Sequence, residues 1–207
     1  MPVLPRTLLD QDGKAIFPID APYPAMPGPL VAVGASGKLQ TRATGQIGRR
    51  WDETYGPMDM EDPAVRDFVA RLNNWRRNAT VVDVAHPGVT TLGAGGGTPL
   101  VNGASQTGSN LVTDGWPVST AVLLAGDVIG VVGLNHRLDV TADVTSSGTG
   151  TATIPINPPI LAGGSPANNA SISISPVFLC KIVGITMPRS GRGRFYRGLQ
   201  IVLQEQV

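Results

Sequence analysis

The sequence predicts a mainly β protein, a β-sandwich or barrel that carries one amphipathic helix. Twenty-six glycines and eighteen prolines, about a fifth of the 207 residues, indicate many turns and extended segments. Turn signals recur roughly every ten residues in the second half of the chain, which is typical of sandwiches and barrels. Because 42% of the residues are apolar, we expect a buried core.

The N-terminal third predicts only short strands in a proline-rich context. PLVAVG at 29–34 and KLQTRATGQI at 38–47 are the clearest β-like runs. Pro29 precedes the first of them, which favours entry into an edge strand because proline has no amide hydrogen to donate to a ladder.

The single predicted helix spans residues 62–77. Asp62 is a good N-cap and Pro63 suits the first helical position. Arg76 and Arg77 in the last turn favour the helix dipole. Apolar residues recur at intervals of three and four and predict a face packed on a sheet, namely Val65, Phe68, Val69, Leu72 and Trp75.

After the helix, TVVDVAHP predicts a strand that Pro87 ends, and a loop-rich stretch with a DGW turn follows. A block of strands comes next: TAVLLAGDVIGVVG, HRLDVTADVT, TATIPIN, ASISISPVFLCKIVGITM and LQIVLQEQV. Residues 141–157 predict a hairpin, since two alternating runs flank the turn SSGTG.

Composition also predicts the domain organisation. Glycine- and proline-rich breaks lie near residues 85–98 and 158–170. We therefore expect a main β domain formed by residues 1–88 plus 165–207, with a possible inserted β subdomain at 89–164.

Charge and cysteine content narrow the function classes. The net charge is +1 and 15% of residues are charged, so bulk charge selects neither nucleic acid nor a membrane surface. Cys180 is the sole cysteine, which excludes an intramolecular disulfide and a four-cysteine zinc site, and its apolar neighbours predict a buried strand thiol. We expect no membrane span and synthesis in the cytoplasm, because no apolar run or leader pattern is present.

Two glycine-rich stretches resemble phosphate-binding loops, GASGK at 34–38 and GAGGGT at 93–98. The first has Leu39 where a metal-binding Ser or Thr belongs, and the second has no lysine. Neither has a clear strand before it and a helix after it, so we interpret both as turns.

The histidines suggest one weak catalytic hypothesis. His86 and His136 are fifty residues apart without further metal-ligand spacing, so we expect no metal site and no cofactor. An enzyme built on His136 with Asp127 and Asp139 is possible in principle. We instead expect Asp127 in a turn, Asp139 on a solvent face and His136 in a scaffold, with no catalytic residue.

The most distinctive polar segment is RSGRGRFYRG at 189–198. Arginine and aromatic residues together suit subunit interfaces, single-stranded nucleic acid or an ordinary loop. We favour the subunit interface and do not expect direct nucleic-acid binding. The candidate interface residues are Arg189, Arg192, Arg194, Phe195, Tyr196 and Arg197.

Three blocks carry a resemblance to a known family. FVARLNNWRRNATVVDVAHPG, PLVNGASQTGSNLVTDGWP and VLLAGDVIGVVGLNHRLDVTADVTSSGTGTATIPINPPI follow one another over about residues 57–160. Together they resemble distal tail or minor tail proteins of long-tailed bacteriophages. The blocks VNGASQTGS, TDGWP and LAGDVIGVVG in succession are the most specific part.

The resemblance implies a structural virion protein of the tail tip. It implies a ring, probably of six copies, which joins the tail tube to the host-recognition apparatus, with the tube protein and other tail-tip proteins as partners. The alternative is a carbohydrate-binding β-sandwich for attachment to the host surface, with Trp51, Trp75 and Trp116 as candidate stacking residues.

Overall fold

The computed structural model describes residues 1–4, 48–59, 61–85, 91–187 and 198–206, together with the backbone of six short strands between residues 8 and 42 and at 195–196. Strands make up 42% of the chain and helix 12%, so the predicted mainly β class with one α-helix is confirmed. One of the sheets is nearly closed and resembles a barrel.

The elements follow one another in a simple order, and strands β1 to β8 precede or flank helix α1, which spans Pro63–Arg77. The strands are β1 Leu8–Leu9, β2 Ala15–Ile16, β3 Pro18–Asp20, β4 Leu30–Val33, β5 Leu39–Arg42, β6 Arg50–Tyr55, β7 Met58–Asp59, β8 Val81–Val84, β9 Leu100–Val101, β10 Gly108–Asp114, β11 Ala121–Leu123, β12 Val128–Val131, β13 Leu138–Val140, β14 Val144–Thr145, β15 Ala152–Ile160, β16 Ile172–Ser173, β17 Phe178–Thr186, β18 Phe195–Tyr196 and β19 Leu199–Glu205. A single 3₁₀ turn, Ala162–Gly164, follows β15.

The chain forms two compact units. Unit 1 consists of Met1–Val84 and Leu179–Val207, and unit 2 is the intervening segment Ala85–Phe178. Unit 2 extends beyond residue 164, where the sequence suggested a boundary. The physical reason is that β16 pairs with β12, Gly130 opposite Ser173 and Val131 opposite Ile172, so this later strand completes the sheet of unit 2.

Unit 1 is organised around a five-stranded sheet with the order β3-β6-β19-β17-β8. Its strands alternate between inward and outward residues, as the buried Leu199, Ile201 and Leu203 of β19 illustrate. Cys180 lies in β17 as a fully buried free thiol, which confirms the prediction from its apolar neighbours.

Helix α1 begins where the sequence predicts. The Asp62 carboxylate accepts a hydrogen bond of 2.7 Å from the Ala64 amide, and Pro63 opens the helix. Four of the five predicted apolar positions are buried, whereas Trp75 is only half-buried. The Phe68 ring lies 5.5 Å from that of Tyr55, centroid to centroid, so the helix packs on β6.

The helix ends in a Schellman motif that contains an alanine. The Thr80 amide donates to the Trp75 carbonyl and the Ala79 amide donates to the Arg76 carbonyl. Ala79 has φ of 48°, a left-handed conformation in which glycine usually occurs. This helix terminus therefore carries local backbone strain.

Unit 2 contains a six-stranded sheet with the order β16-β12-β13-β15-β10-β9. An antiparallel bridge between Leu100 and Ser171 links its two edges, which accounts for the nearly closed, barrel-like form. Inward residues of all these strands form one apolar core, and Trp116 and Leu111 belong to it.

The predicted hairpin at 141–157 forms only in part. β13 pairs with β15, with Val140 opposite Ile156. β14 leaves that pair and joins β11 instead, so that Val144 lies opposite Leu123. Both of these side chains are buried in the core of unit 2, and burying them together draws β14 away from β15.

Candidate functional site

Asp127 is a buried carboxylate that the fold uses as a hydrogen-bond acceptor. Its Oδ1 accepts from the Leu92 amide at 2.6 Å, and its Oδ2 accepts from the amides of Gly93 at 3.1 Å and Leu124 at 2.8 Å. The side chain is fully buried. Three backbone donors on one carboxylate anchor the 92–93 segment to the turn before β12, which matches the predicted role of Asp127 in a turn.

The GAGGGT loop at 93–98 spends its amides inside unit 2. The amides of Ala94 and Gly95 donate to the carbonyls of Ala121 and Val122, and the Thr98 amide donates to the Gly115 carbonyl. An anion cradle needs amides that point to a ligand. The loop is therefore built as a packed connection. The other glycine-rich stretch, 34–38, lies outside the described residues.

The residues of the catalytic hypothesis occupy scaffold positions. His136 is 8% exposed, immediately before β13. Asp139 is half-buried in β13 opposite Asn157, and the exposed Asp143 accepts a hydrogen bond from the Ala125 amide. Since Asp127 is committed to three amides, it does not act as a carboxylate that orients His136. His86 lies outside the described residues.

The VNGASQTGS block, which carries part of the resemblance, forms a loop closed by Gln106. The side-chain amide of Gln106 donates to the carbonyls of Asn102 and Val112, and its oxygen accepts from the Val112 amide at 2.6 Å. The side chain thus replaces a missing strand partner along β10. This motif shapes the fold.

The tryptophans considered for glycan stacking are mostly internal. Trp51 and Trp116 are 3% and 4% exposed. Their indole nitrogens donate to Glu53 at 3.1 Å and to Thr113 at 2.8 Å. Trp75 is half-buried on α1. Neither Trp51 nor Trp116 presents a ring face to a sugar.

The predicted interface segment falls almost entirely outside the described residues. Only the backbone of Phe195–Tyr196 is described, and it forms β18, which pairs with β7 so that Phe195 lies opposite Asp59 and Tyr196 opposite Met58. The candidates outside the described residues are Arg189, Arg192, Arg194 and Arg197, and the side chains of Phe195 and Tyr196 are likewise not described. Their interface role stays a prediction.

The two units carry opposite charge. Unit 1 contains fifteen Lys and Arg and eleven Asp and Glu, a net charge of +4, whereas unit 2 contains one arginine and four aspartates, a net charge of −3. The arginine of unit 2, Arg137, is 8% exposed and donates from Nε to the Val177 carbonyl at 2.6 Å. The described surface of unit 2 therefore presents carboxylates without an exposed Lys or Arg beside them.

A basic edge lies at the C-terminal end of α1 and consists of Arg76 and Arg77 with Asn73. The three residues line an open hollow of about 410 Å³. Both arginines are exposed, and their side chains make no hydrogen bond or ion pair with any described residue. The sequence analysis treated these arginines only as dipole partners. The overlooked signal was the absence of any acidic residue between Asp67 and Asp83.

Metal sites and membrane helices were also sought. Within the described ranges, no three His, Cys, Asp or Glu side chains lie close enough to hold a metal ion. No helix there combines the length and apolar content that crossing a membrane requires.

Comparison with known proteins gives no assignment. No protein-family model matches the chain, and no curated protein is significantly similar to it. The functional argument therefore rests on the residues and on the geometry of the two units.

Proposed function

We propose that this chain is a structural subunit of the tail tip of a long-tailed bacteriophage, made in the host cytoplasm and assembled into the virion tail. In this proposal several copies, roughly six, form a closed ring that joins the tail tube to the host-recognition apparatus. The observation that carries it is the opposite charge of the two units, +4 and −3.

Opposite charges on two units of one chain favour head-to-tail association. A ring in which each copy contacts the next through two different surfaces is a heterologous assembly, and it closes when the rotation between copies divides a full turn. Complementary potentials select the correct partner and orientation in such contacts. A monomer has no comparable use for this charge separation.

The residues that carry the resemblance support a structural role. Gln106 of the VNGASQTGS block and Asp127 of the LAGDVIGVVG block both spend their polar groups on backbone partners. Polar side chains used in this way stabilise loops and turns. The proposed subunit accordingly has no enzymatic activity.

The carbohydrate-binding alternative has less support. Sugar binding usually requires an exposed aromatic ring together with hydrogen-bonding groups. Trp51 and Trp116 are buried, so only the half-buried Trp75 remains among the candidates considered.

The test combines mass and location. Native mass spectrometry and negative-stain images of the purified protein are expected to show closed rings of roughly six copies. Antibodies against the protein are expected to label the tail tip of intact phage particles. A strictly monomeric protein that never enters particles would overturn the proposal, and binding on a glycan array that Trp75→Ala abolishes would favour the alternative.

A further inference from the structure

We propose that the basic edge of α1 in one copy docks on an acidic face of unit 2 in the neighbouring copy. The acidic face consists of Asp139 and Asp143. This inference rests on the proposed function, because it names one of the contacts that would close the ring.

The donor side of the contact is a pair of arginines without a partner in the described chain. Arg71, one turn earlier, already forms an ion pair with Asp67 at 2.6 Å. Arg76 and Arg77 form none, and Asn73 adds an exposed polar side chain to the hollow that they line. Guanidinium groups make bidentate contacts with carboxylates, so this edge fits an acidic protein surface.

The acceptor side lies around a single turn of unit 2. Asp143 accepts from the amide of Ala125, and Asp139 lies opposite Val128 in the β12–β13 pair. Both carboxylates therefore flank the turn between Ala125 and Val128. Asp143 is exposed and Asp139 half-exposed, and Arg137 is buried under this sheet rather than neutralising them at the surface.

A second copy fits the basic edge better than nucleic acid does. Two adjacent arginines are too few to follow a phosphate backbone, whose binding grows with the number of neutralised phosphates. The same chain, in contrast, supplies a surface of opposite sign on its other unit. A head-to-tail ring needs two such different and complementary patches on every copy.

Charge reversal on each side provides the test. R76E/R77E and D139K/D143K are prepared separately, then mixed, and self-association is followed by analytical ultracentrifugation and native mass spectrometry. Each variant alone is expected to associate at least about tenfold more weakly, because like charges then face each other. The equimolar mixture is expected to restore assembly, since every contact in an alternating ring pairs opposite charges again.

Matched controls separate the contact from folding. R66E changes the same charge on the same exposed helix face, one end away, and is expected to leave association unchanged. Circular dichroism checks that each variant is folded. If D139K/D143K is unfolded, the neutral D139N/D143N replaces it, and a weakened association in that variant carries the same conclusion.

The outcomes distinguish this contact from the proposed function. Rings of R76E/R77E that keep the wild-type mass and stability would overturn the docking contact while leaving the tail-ring proposal intact. A wild-type protein that forms no ring would overturn both. Arginine-dependent binding to single-stranded DNA, without any effect of the Asp139 and Asp143 changes on association, would also overturn the contact.

Discussion

Asp127 allows the sharpest test of how unit 2 is held together. In Asp127→Ala, the amides of Leu92, Gly93 and Leu124 lose their only assigned acceptor, the carboxylate that they contact at 2.6, 3.1 and 2.8 Å. An unsatisfied amide costs about 1–3 kcal/mol, and the lower part of that range applies because these donors are partly buried. The expected loss is therefore about 3–5 kcal/mol, a large part of the ~5–14 kcal/mol typical of a domain this size.

Asp127→Asn gives a graded version of the same test. An amide oxygen at the Oδ2 position would keep the bonds from Gly93 and Leu124, but the side-chain NH₂ group would then face the Leu92 amide, donor against donor. We expect a loss of about 2 kcal/mol. The asparagine variant should lie between wild type and the alanine variant.

Urea unfolding and amide hydrogen exchange measure these effects. Unfolding free energies from linear extrapolation give the loss, and exchange should show that the Leu92, Gly93 and Leu124 amides lose protection. Asp143→Asn is the control, since that exposed side chain accepts one bond from Ala125, and its expected effect is under about 1 kcal/mol. The reasoning is refuted if both Asp127 variants stay within about 1 kcal/mol of wild type and the three amides remain protected.

Three further predictions concern local strain, close packing and buried charge. Ala79→Gly should raise stability by about 1 kcal/mol, seen as a higher melting temperature, because Ala79 has φ of 48° at the end of α1. Gly97→Ala should destabilise unit 2 by at least about 2 kcal/mol in urea unfolding, because φ is 71° and the added Cβ would overlap the Gly115 carbonyl oxygen. Glu205→Ala should cost about 3–5 kcal/mol, because the buried Arg49, 3.1 Å from Glu205, would lose its carboxylate partner.

Each of these has a matched control. Gly148→Ala should be tolerated, since a Cβ there meets no atom within 4 Å; equal losses at Gly97 and Gly148 would contradict the packing argument. Asp67→Asn removes an ion pair whose side chains are 63% and 56% exposed, so it should cost under about 1 kcal/mol, and a cost as large as that of Glu205→Ala would contradict the burial argument. A lower melting temperature in Ala79→Gly would show that the left-handed alanine is not strained.

The local features of the fold were predictable because they depend on neighbours in sequence. The cap Asp62, the opening Pro63 and the spacing of Val65, Phe68, Val69 and Leu72 define α1 without reference to the rest of the chain. Apolar neighbours likewise predicted the buried thiol of Cys180. Trp75 escaped this logic, since its exposure depends on how far the sheet extends beneath the last turn.

Strand pairing was less predictable because it depends on which apolar residues meet in the core. Val144 was assigned to a hairpin arm by its neighbours, yet it lies opposite Leu123 in another strand pair. In the same way, β16 belongs to unit 2 through its pairing with β12, which no local pattern records. Alternation predicts that a segment is a strand but leaves its partner undetermined.

The sequence by itself determined the mainly β class, the helix and the unequal charge of the two segments, since these follow from composition and short-range periodicity. Only the tertiary structure decided what the polar groups do. It commits the Asp127 carboxylate to three backbone amides, buries Arg137 and leaves Arg76 and Arg77 exposed. The physical reason is that a side chain becomes a lock, an internal partner or a docking surface through atoms that are distant along the chain, and the folded packing alone brings those atoms together.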